Sequence, residues 1–319
     1  MKVSDVLVKA LEDQGVEYVF GVPGEENADF MQSLHKSEKI TFILTHDESA
    51  AGFMALAYAQ VKGTPAAVVA TLGPGVTNLA TSLAQATQDG APLIAIVGQG
   101  STMRLERDSH QIINQVEFLT PITKRVTPIR VPSVVYKQVE IAVKESLSGK
   151  AGAVVLELPE DVAKEEAVVR PCVKPTKRYQ EIDEGLIRQA AKLVRDAEKP
   201  LVLIGAGVHR ERVTEETRNL INRLNLRTVN TFQGKGVFGN NTVGFMDGHN
   251  LELVDESDVV IAIGYGQVEC AAEKLRLPER GRKIIHICIE KHSFDPIYSP
   301  DIDLVGNMSD IIYRLTEEI

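Results

Sequence analysis

Three strand-sized apolar runs, Thr41–Thr45, Ala66–Ala70 and Pro92–Val97, are separated by helix-length segments whose apolar positions recur at helical spacing. Strands that alternate with helices in this way build parallel βαβ units. The pattern extends both ways along the chain. Residues 3–14 predict a helix closed by Gly15, with Ser4 as its cap, followed by a strand at Tyr18–Phe20 and a helix over Asn27–Leu34. Further on come helices at Asn78–Gln88 and Pro132–Leu147 and a strand at Ala153–Leu158. Residues 101–118 are polar and without period, which predicts a surface loop. The run Thr41–Thr45 predicts a buried strand.

A chain of 319 residues exceeds what one core organises. The first α/β domain is expected over 1–170. A linker over 171–184, carrying Pro171 and Pro175, breaks the rhythm, and a second α/β domain covers 185–319. There the pattern gives a helix to Ala197, a strand at Pro200–Ile204, a helix at Glu211–Leu224 and a strand at Thr228–Asn230. A helix at Leu251–Glu256, strands at Val259–Ile263 and Lys283–Ile289, and a helix at Ser309–Glu317 complete it. The turn Gly205-Ala206-Gly207 lacks the third glycine of a dinucleotide fingerprint, so a plain strand-to-helix turn is favoured.

Charge narrows the function. Lys+Arg 35 against Asp+Glu 44 gives −9 with no long basic cluster, which argues against nucleic acid as a partner. No apolar run approaches the ~20 residues of a membrane span, and the N-terminus is an amphipathic helix rather than a signal peptide. Cys172, Cys270 and Cys288 are widely spaced, which supports neither a disulfide framework nor a metal site and suggests packed thiols in a reducing, cytoplasmic compartment.

One carboxylate sits at a strand–helix junction between two glycine turns. Glu48 lies between Gly21-Val22-Pro23-Gly24 upstream and Thr71-Leu72-Gly73-Pro74-Gly75-Val76-Thr77-Asn78 downstream. Locally, Thr45-His46-Asp47-Glu48 spells a capping box in which Glu48 reaches back to the amide of Thr45. The alternative is a ligand-facing acid.

Residues 2–30 (KVSDVLVKALEDQGVEYVFGVPGEENADF), 46–59 (HDESAAGFMALAYA), 70–99 (ATLGPGVTNLATSLAQATQDGAPLIAIVGQ) and Pro121-Ile122-Thr123-Lys124 carry a family pattern. In order and spacing the chain resembles the thiamine-diphosphate enzymes, most closely the acetolactate synthase (acetohydroxyacid synthase) large subunit. The resemblance implies a pyrimidine-binding domain followed by a middle, Rossmann-like domain. It also implies 2-keto-acid chemistry: decarboxylation of pyruvate and joining of the product to a second keto acid.

On that resemblance Glu48 is the carboxylate that hydrogen-bonds N1′ of the aminopyrimidine and favours the imino tautomer that deprotonates the thiazolium carbon. Val22, Pro23 and Gly24, with Gly73, Pro74, Gly75 and Asn78, are the expected cofactor wall; Asn78 reads equally as the cap of its helix. Gln111 matches a family glutamine near the reacting centre, and His110 beside it departs from the usual Phe. His110 and Lys235 are substrate-side candidates, each weighed against a plain exposed loop residue.

Two departures bear on cofactors. An arginine-bearing glycine stretch associated with FAD reads Gly149-Lys150-Ala151-Gly152 here, which makes FAD doubtful. No GDG occurs in 319 residues, so the Mg²⁺ and diphosphate ligands are expected on a further domain, supplied in trans or downstream. A homodimer through the first domain follows from the resemblance. Two alternatives stay open: another family member, such as a pyruvate oxidase or an acyl-CoA or sulfo-substrate lyase or transferase, and a non-catalytic assembly module.

Overall fold

A computed structural model describes residues 1–169, 179–238, 248–277, 281–291 and 296–319. The chain divides into two compact units, Met1–Lys177 and Arg178–Ile319. Of the expected linker, residues 171–178 lie outside the described residues; 179–183 form no regular element.

The first unit holds strands β1 (Tyr18–Gly21), β2 (Thr41–Leu44), β3 (Ala66–Ala70), β4 (Leu93–Gln99), β5 (Arg125–Pro128) and β6 (Ala153–Pro159). They form a parallel sheet in the order β2-β1-β3-β4-β6-β5. Its helices are α1 (Val3–Asp13), α2 (Ala28–His35), α3 (Glu48–Lys62), α4 (Pro74–Asp89), α5 (Gln115–Leu119) and α6 (Val135–Leu147).

Alternate residues of each central strand feed opposite cores, because strand side chains point to the two faces in turn. Val69, Ile94, Ile96, Val154 and Leu156 pack with α1, α2 and α6. Val68, Ala70, Ala95, Val97 and Val155 pack with α3 and α4. The second face is rich in alanine, and α3 answers it with Ala51, Ala55 and Ala59, all fully buried. Small residues on both sides bring α3 close to the sheet.

The second unit contains β7 (Pro200–Ile204), β8 (Arg227–Asn230), β9 (Val259–Ile263), β10 (Lys283–Cys288) and β11 (Ile302–Val305), with α7 (Glu184–Asp196), α8 (Gly207–Arg210), α9 (Thr214–Leu224), α10 (Gly248–Glu256) and α11 (Met308–Glu318). Its strands are parallel in the order β11-β10-β9-β7-β8. At the turn after β7 the Gly205 amide donates to Ile263 O, that of Gly207 to Gly264 O (2.9 Å each), and that of Val208 to Gly205 O (3.2 Å). Those donors are already used within the backbone, so the turn offers no phosphate cradle there and serves as a strand-to-helix turn.

Several expectations are corrected. β2 is an edge strand, with Thr41 and Leu44 exposed, rather than a buried one. The edge strands β5 and β11 were not foreseen; Arg125–Pro128 and Ile302–Val305 carry polar residues because an edge needs less apolar surface. Within 101–118 the helix α5 begins at Gln115, capped by Asn114. The first helix starts at Val3 after Lys2; Ser4 lies inside it, buried, and accepts from Ser33 Oγ at 3.0 Å. No helix of the described residues is long and apolar enough to cross a membrane.

The contact between α3 and α4 yields a test. A Cβ on Gly52 would lie 1.8 Å from Ser82 Oγ and 2.5 Å from Ser82 Cβ. Glycine-to-alanine in a helix interior ordinarily stabilises by about 1 kcal/mol, whereas overpacking costs about 1–3 kcal/mol. Gly52→Ala is therefore expected to destabilise the protein in urea unfolding, and adding Ser82→Gly should recover part of the loss. A more stable Gly52→Ala protein would show that the two helices have room to spare.

Candidate active site

β1 pairs with β2 on one side and β3 on the other, so the chain reverses its winding direction between β1 and β3. In open parallel sheets ligands bind beyond the carboxyl ends of strands at such a point. Both glycine turns emerge there, Gly21–Gly24 from β1 and Thr71–Gly75 from β3.

The first turn is held by Asn27, which is 2 % exposed. Its Oδ1 accepts from the Gly24 amide at 2.8 Å and its Nδ2 donates to Val22 O at 3.3 Å. Val22 and Gly24 are half-buried and Pro23 is exposed. A Cβ on Gly24 would lie 2.5 Å from Thr71 Cβ, so the two turns touch only because residue 24 is glycine.

The second turn starts α4 four residues earlier than the sequence pattern suggests. Pro74 occupies the first helical turn, where its missing N–H costs nothing, and Gly73 precedes it at φ 56°. Asn78 is consequently inside the helix and does not cap it. Its Nδ2 donates to Glu48 Oε2 at 3.0 Å, and its carbonyl accepts from Ser49 Oγ at 2.6 Å. Both bonds tie α4 to the first turn of α3.

Glu48 is not part of a capping box. The N-cap of α3 is Asp47, whose Oδ1 accepts from the Ala50 amide at 2.9 Å. Thr45 is buried, and its hydroxyl donates to Asp47 O at 3.0 Å. Glu48 is therefore the first helical residue, half-buried, and points across to α4. Its Oε1 lies 3.4 Å from where a Cβ on Gly75 would be, and no described residue donates a hydrogen bond to it. One oxygen is oriented by an amide while the other faces a glycine surface. Such a carboxylate can share a proton with a ring nitrogen laid against the turn.

Gln111 joins this group through its backbone. Its carbonyl lies 2.4 Å from the position of a Cβ on Gly73, and its φ of 58° is unusual for a side-chain-bearing residue. His110 and Gln111 are both exposed. Lys235 belongs to the other unit, exposed, with its carbonyl 3.1 Å from His209 Nε2.

The residues that secure the Gln111 loop escaped the sequence pattern. Arg104 donates from Nε to Ser109 Oγ (3.1 Å) and from its terminal nitrogens to His110 O (3.3 Å) and Glu160 Oε1 (3.0 Å). It also reaches Glu26 at 3.5 Å, and Glu26 Oε2 accepts from Thr71 Oγ1 at 2.9 Å. Asp161 anchors the start of the loop through Thr102, whose amide and hydroxyl both donate to it. Burial alone would raise the Asp161 pKa, but the hydrogen bonds from Thr102 and Val162 hold it below the usual aspartate range. Only the Gly24-to-Asn27 spacing, a side-chain turn, offered a local signal.

Lys124 of the Pro121–Lys124 motif is structural: its ammonium donates to Ser148 O (2.5 Å) and Lys150 O (2.8 Å). It closes the turn that contains Gly149 and Lys150.

Two family models match the chain. Residues 1–118 match the thiamine pyrophosphate enzyme N-terminal TPP binding domain, and residues 187–315 match the central domain of the same enzymes. The chain belongs to the thiamine pyrophosphate enzymes. Among curated relatives, a probable acetolactate synthase large subunit of Methanocaldococcus jannaschii is 32% identical, the match covering 99% of this chain and 56% of the relative. An acetolactate synthase of Mycobacterium leprae is 30% identical over 97% of this chain and 51% of its own length. That of Bacillus subtilis is 28% identical over 99% and 56%. The chain thus spans about half the length of the curated relatives it matches.

In this thiamine pyrophosphate enzyme chain the division of labour between Asp47 and Glu48 is measurable. Removing an N-cap carboxylate costs about 1 kcal/mol, so Asp47→Ala should lower the unfolding free energy by that amount. Glu48→Gln keeps an acceptor for Asn78 and should stay within about 0.5 kcal/mol of the parent. Equal losses in urea unfolding would return Glu48 to a structural role.

Proposed function

We propose that the first unit is the aminopyrimidine-binding half of an acetolactate-synthase-like site acting on 2-keto acids, pyruvate first among them. The observation that carries this is Glu48, relieved of capping by Asp47 and held by Asn78 with one oxygen towards the Gly73–Gly75 turn. Val22, Pro23 and Gly24 with Gly73, Pro74 and Gly75 form the surface against which the ring lies, and Gln111 approaches from the loop fixed by Arg104. The names of the relatives support the substrate class.

Thiamine diphosphate, when bound, supplies the carbon nucleophile for breaking and making the bond beside the keto group. Glu48 holds a proton at the ring nitrogen, Asn78 orients Glu48, and the glycine surfaces allow the ring to approach the backbone. In this proposal Mg²⁺ and the diphosphate are held by protein other than these 319 residues, whether downstream or on a partner chain. Flavin is not part of the proposed chemistry.

A second copy of the chain is the proposed partner of the first unit. On α3, opposite its buried alanines, Phe53 (42%), Met54 (44%) and Val61 (84%) are exposed in one stripe, and Leu44 (61%) is exposed on β2, the strand before α3 in the chain. Burying that stripe would also bring water-excluding surface towards the Glu48 end of the helix. Phe53→Asp is expected to shift the protein from dimer to monomer in sedimentation velocity. A parent that is already monomeric at micromolar concentration would exclude this face as the contact.

For activity, the chain is combined with thiamine diphosphate, Mg²⁺ and the diphosphate-binding half of a relative, and acetolactate formation from pyruvate is followed. Loss of a positioned proton-transfer group costs about 10²–10⁴-fold, and Glu48→Gln should fall in that range without loss of stability. Undiminished turnover in Glu48→Gln would sink the assignment. Turnover of an acyl-CoA but not of pyruvate would move the chain to another branch of the family.

A further inference from the structure

His286 and Cys288 stand two residues apart on β10, and Asp303 on β11 is the residue directly paired with His286. Residues two apart on a strand share a face, as do directly paired residues on neighbouring strands. Ile285, before His286, and the intervening Ile287 point the other way, into the core packed on α7 and α11. An imidazole, a thiol and a carboxylate therefore project together from one edge of the second sheet, with one donor atom of each within 4.8 Å of the others.

The spacing of the thiol and the carboxylate suits a shared ion. Cys288 Sγ lies 3.7 Å from Asp303 Oδ1. Metal–sulfur bonds of about 2.3 Å and metal–nitrogen or metal–oxygen bonds of about 2.0–2.2 Å at tetrahedral angles separate donor atoms by roughly 3.3–3.7 Å. The ring of His286 is already oriented: the residue is 4% exposed, and its Nδ1 is 2.8 Å from the hydroxyl of Tyr298, itself 1% exposed. A buried outer partner that fixes the imidazole is a regular companion of metal-bound histidine. Tyr298 is in turn wedged edge-on against Tyr265 at 5.4 Å.

We propose that His286, Cys288 and Asp303 form a binding site for a Zn²⁺-class transition-metal dication at the β10–β11 edge of the second unit. Mixed nitrogen, sulfur and carboxylate donors suit zinc and cobalt and disfavour Mg²⁺ or Ca²⁺, which take oxygen ligands. Three protein donors leave the fourth tetrahedral position to water. The site uses no residue of the Glu48 region and stands independently of the thiamine assignment. It escaped the cysteine count because its donors are one His-x-Cys pair on β10 and an aspartate contributed by the neighbouring strand.

The test uses the whole chain, stripped with chelator and titrated with Co²⁺. One equivalent should bind and give a thiolate-to-cobalt charge-transfer band with the visible bands of a tetrahedral ion, and Zn²⁺ should displace it. Cys288→Ser should abolish the charge-transfer band. Asp303→Asn should keep the band but weaken the affinity by at least about tenfold, and Cys270→Ser should change neither. Circular dichroism checks that each variant is folded, and Asp303→Asn carries the test if Cys288→Ser is not. Absence of the band in the parent, or parental affinity in a folded Asp303→Asn protein, overturns the proposal.

Discussion

A single hydrogen bond, from the Ala50 amide to Asp47 Oδ1, determines what the next residue is able to do. The first turn of any helix has amides that need acceptors, and the nearest carboxylate is usually consumed by them. Because Asp47 takes that role from outside the helix, Glu48 becomes the first helical residue and its side chain is released sideways. Asn78 then catches it from the neighbouring helix. Had the helix begun two residues earlier, with Thr45 as cap, Glu48 would have folded back on its own backbone.

That release is useful only because α3 and α4 lie close together. The buried alanines of α3, with Gly52 against Ser82, remove the side-chain volume that would hold the two helices apart. The same absence of volume recurs in the turns, where Gly24 meets Thr71 and Gly73 meets the Gln111 carbonyl. Three chain segments far apart in sequence are thereby fastened within one surface at the carboxyl ends of β1 and β3. Arg104 and Asp161 complete it from the far side by holding the loop that carries Gln111. Under the proposed function, this dense packing with few large side chains is what would fit a flat ring to a backbone wall.

The central strands and long helices were legible because burial on both faces forces apolar, β-branched or alanine runs of fixed length, as at Ala66–Ala70. The sheet edges were not. β2 carries an apolar sequence yet lies half in solvent, and β5 and β11 are polar enough to resemble loops, since an edge strand has only one hydrogen-bonding neighbour and weaker demands on its residues. Among the site residues, Glu48, the two glycine turns and Gln111 stood out in the sequence and lie in one region. Arg104 and Glu26 did not stand out, because each acts through a partner distant in the chain.

By itself the sequence determined the parallel α/β class, the order of the central elements and a family whose glycine turns bracket one acid. Periodicity and glycine placement are local properties, and they survive in one dimension. Tertiary structure alone decided which of two adjacent carboxylates caps α3, that Asn78 reaches Glu48 from inside α4, and that His286, Cys288 and Asp303 share an edge. Those outcomes depend on the register of one element against another, and register is set by the packing of the whole sheet rather than by any stretch of neighbouring residues.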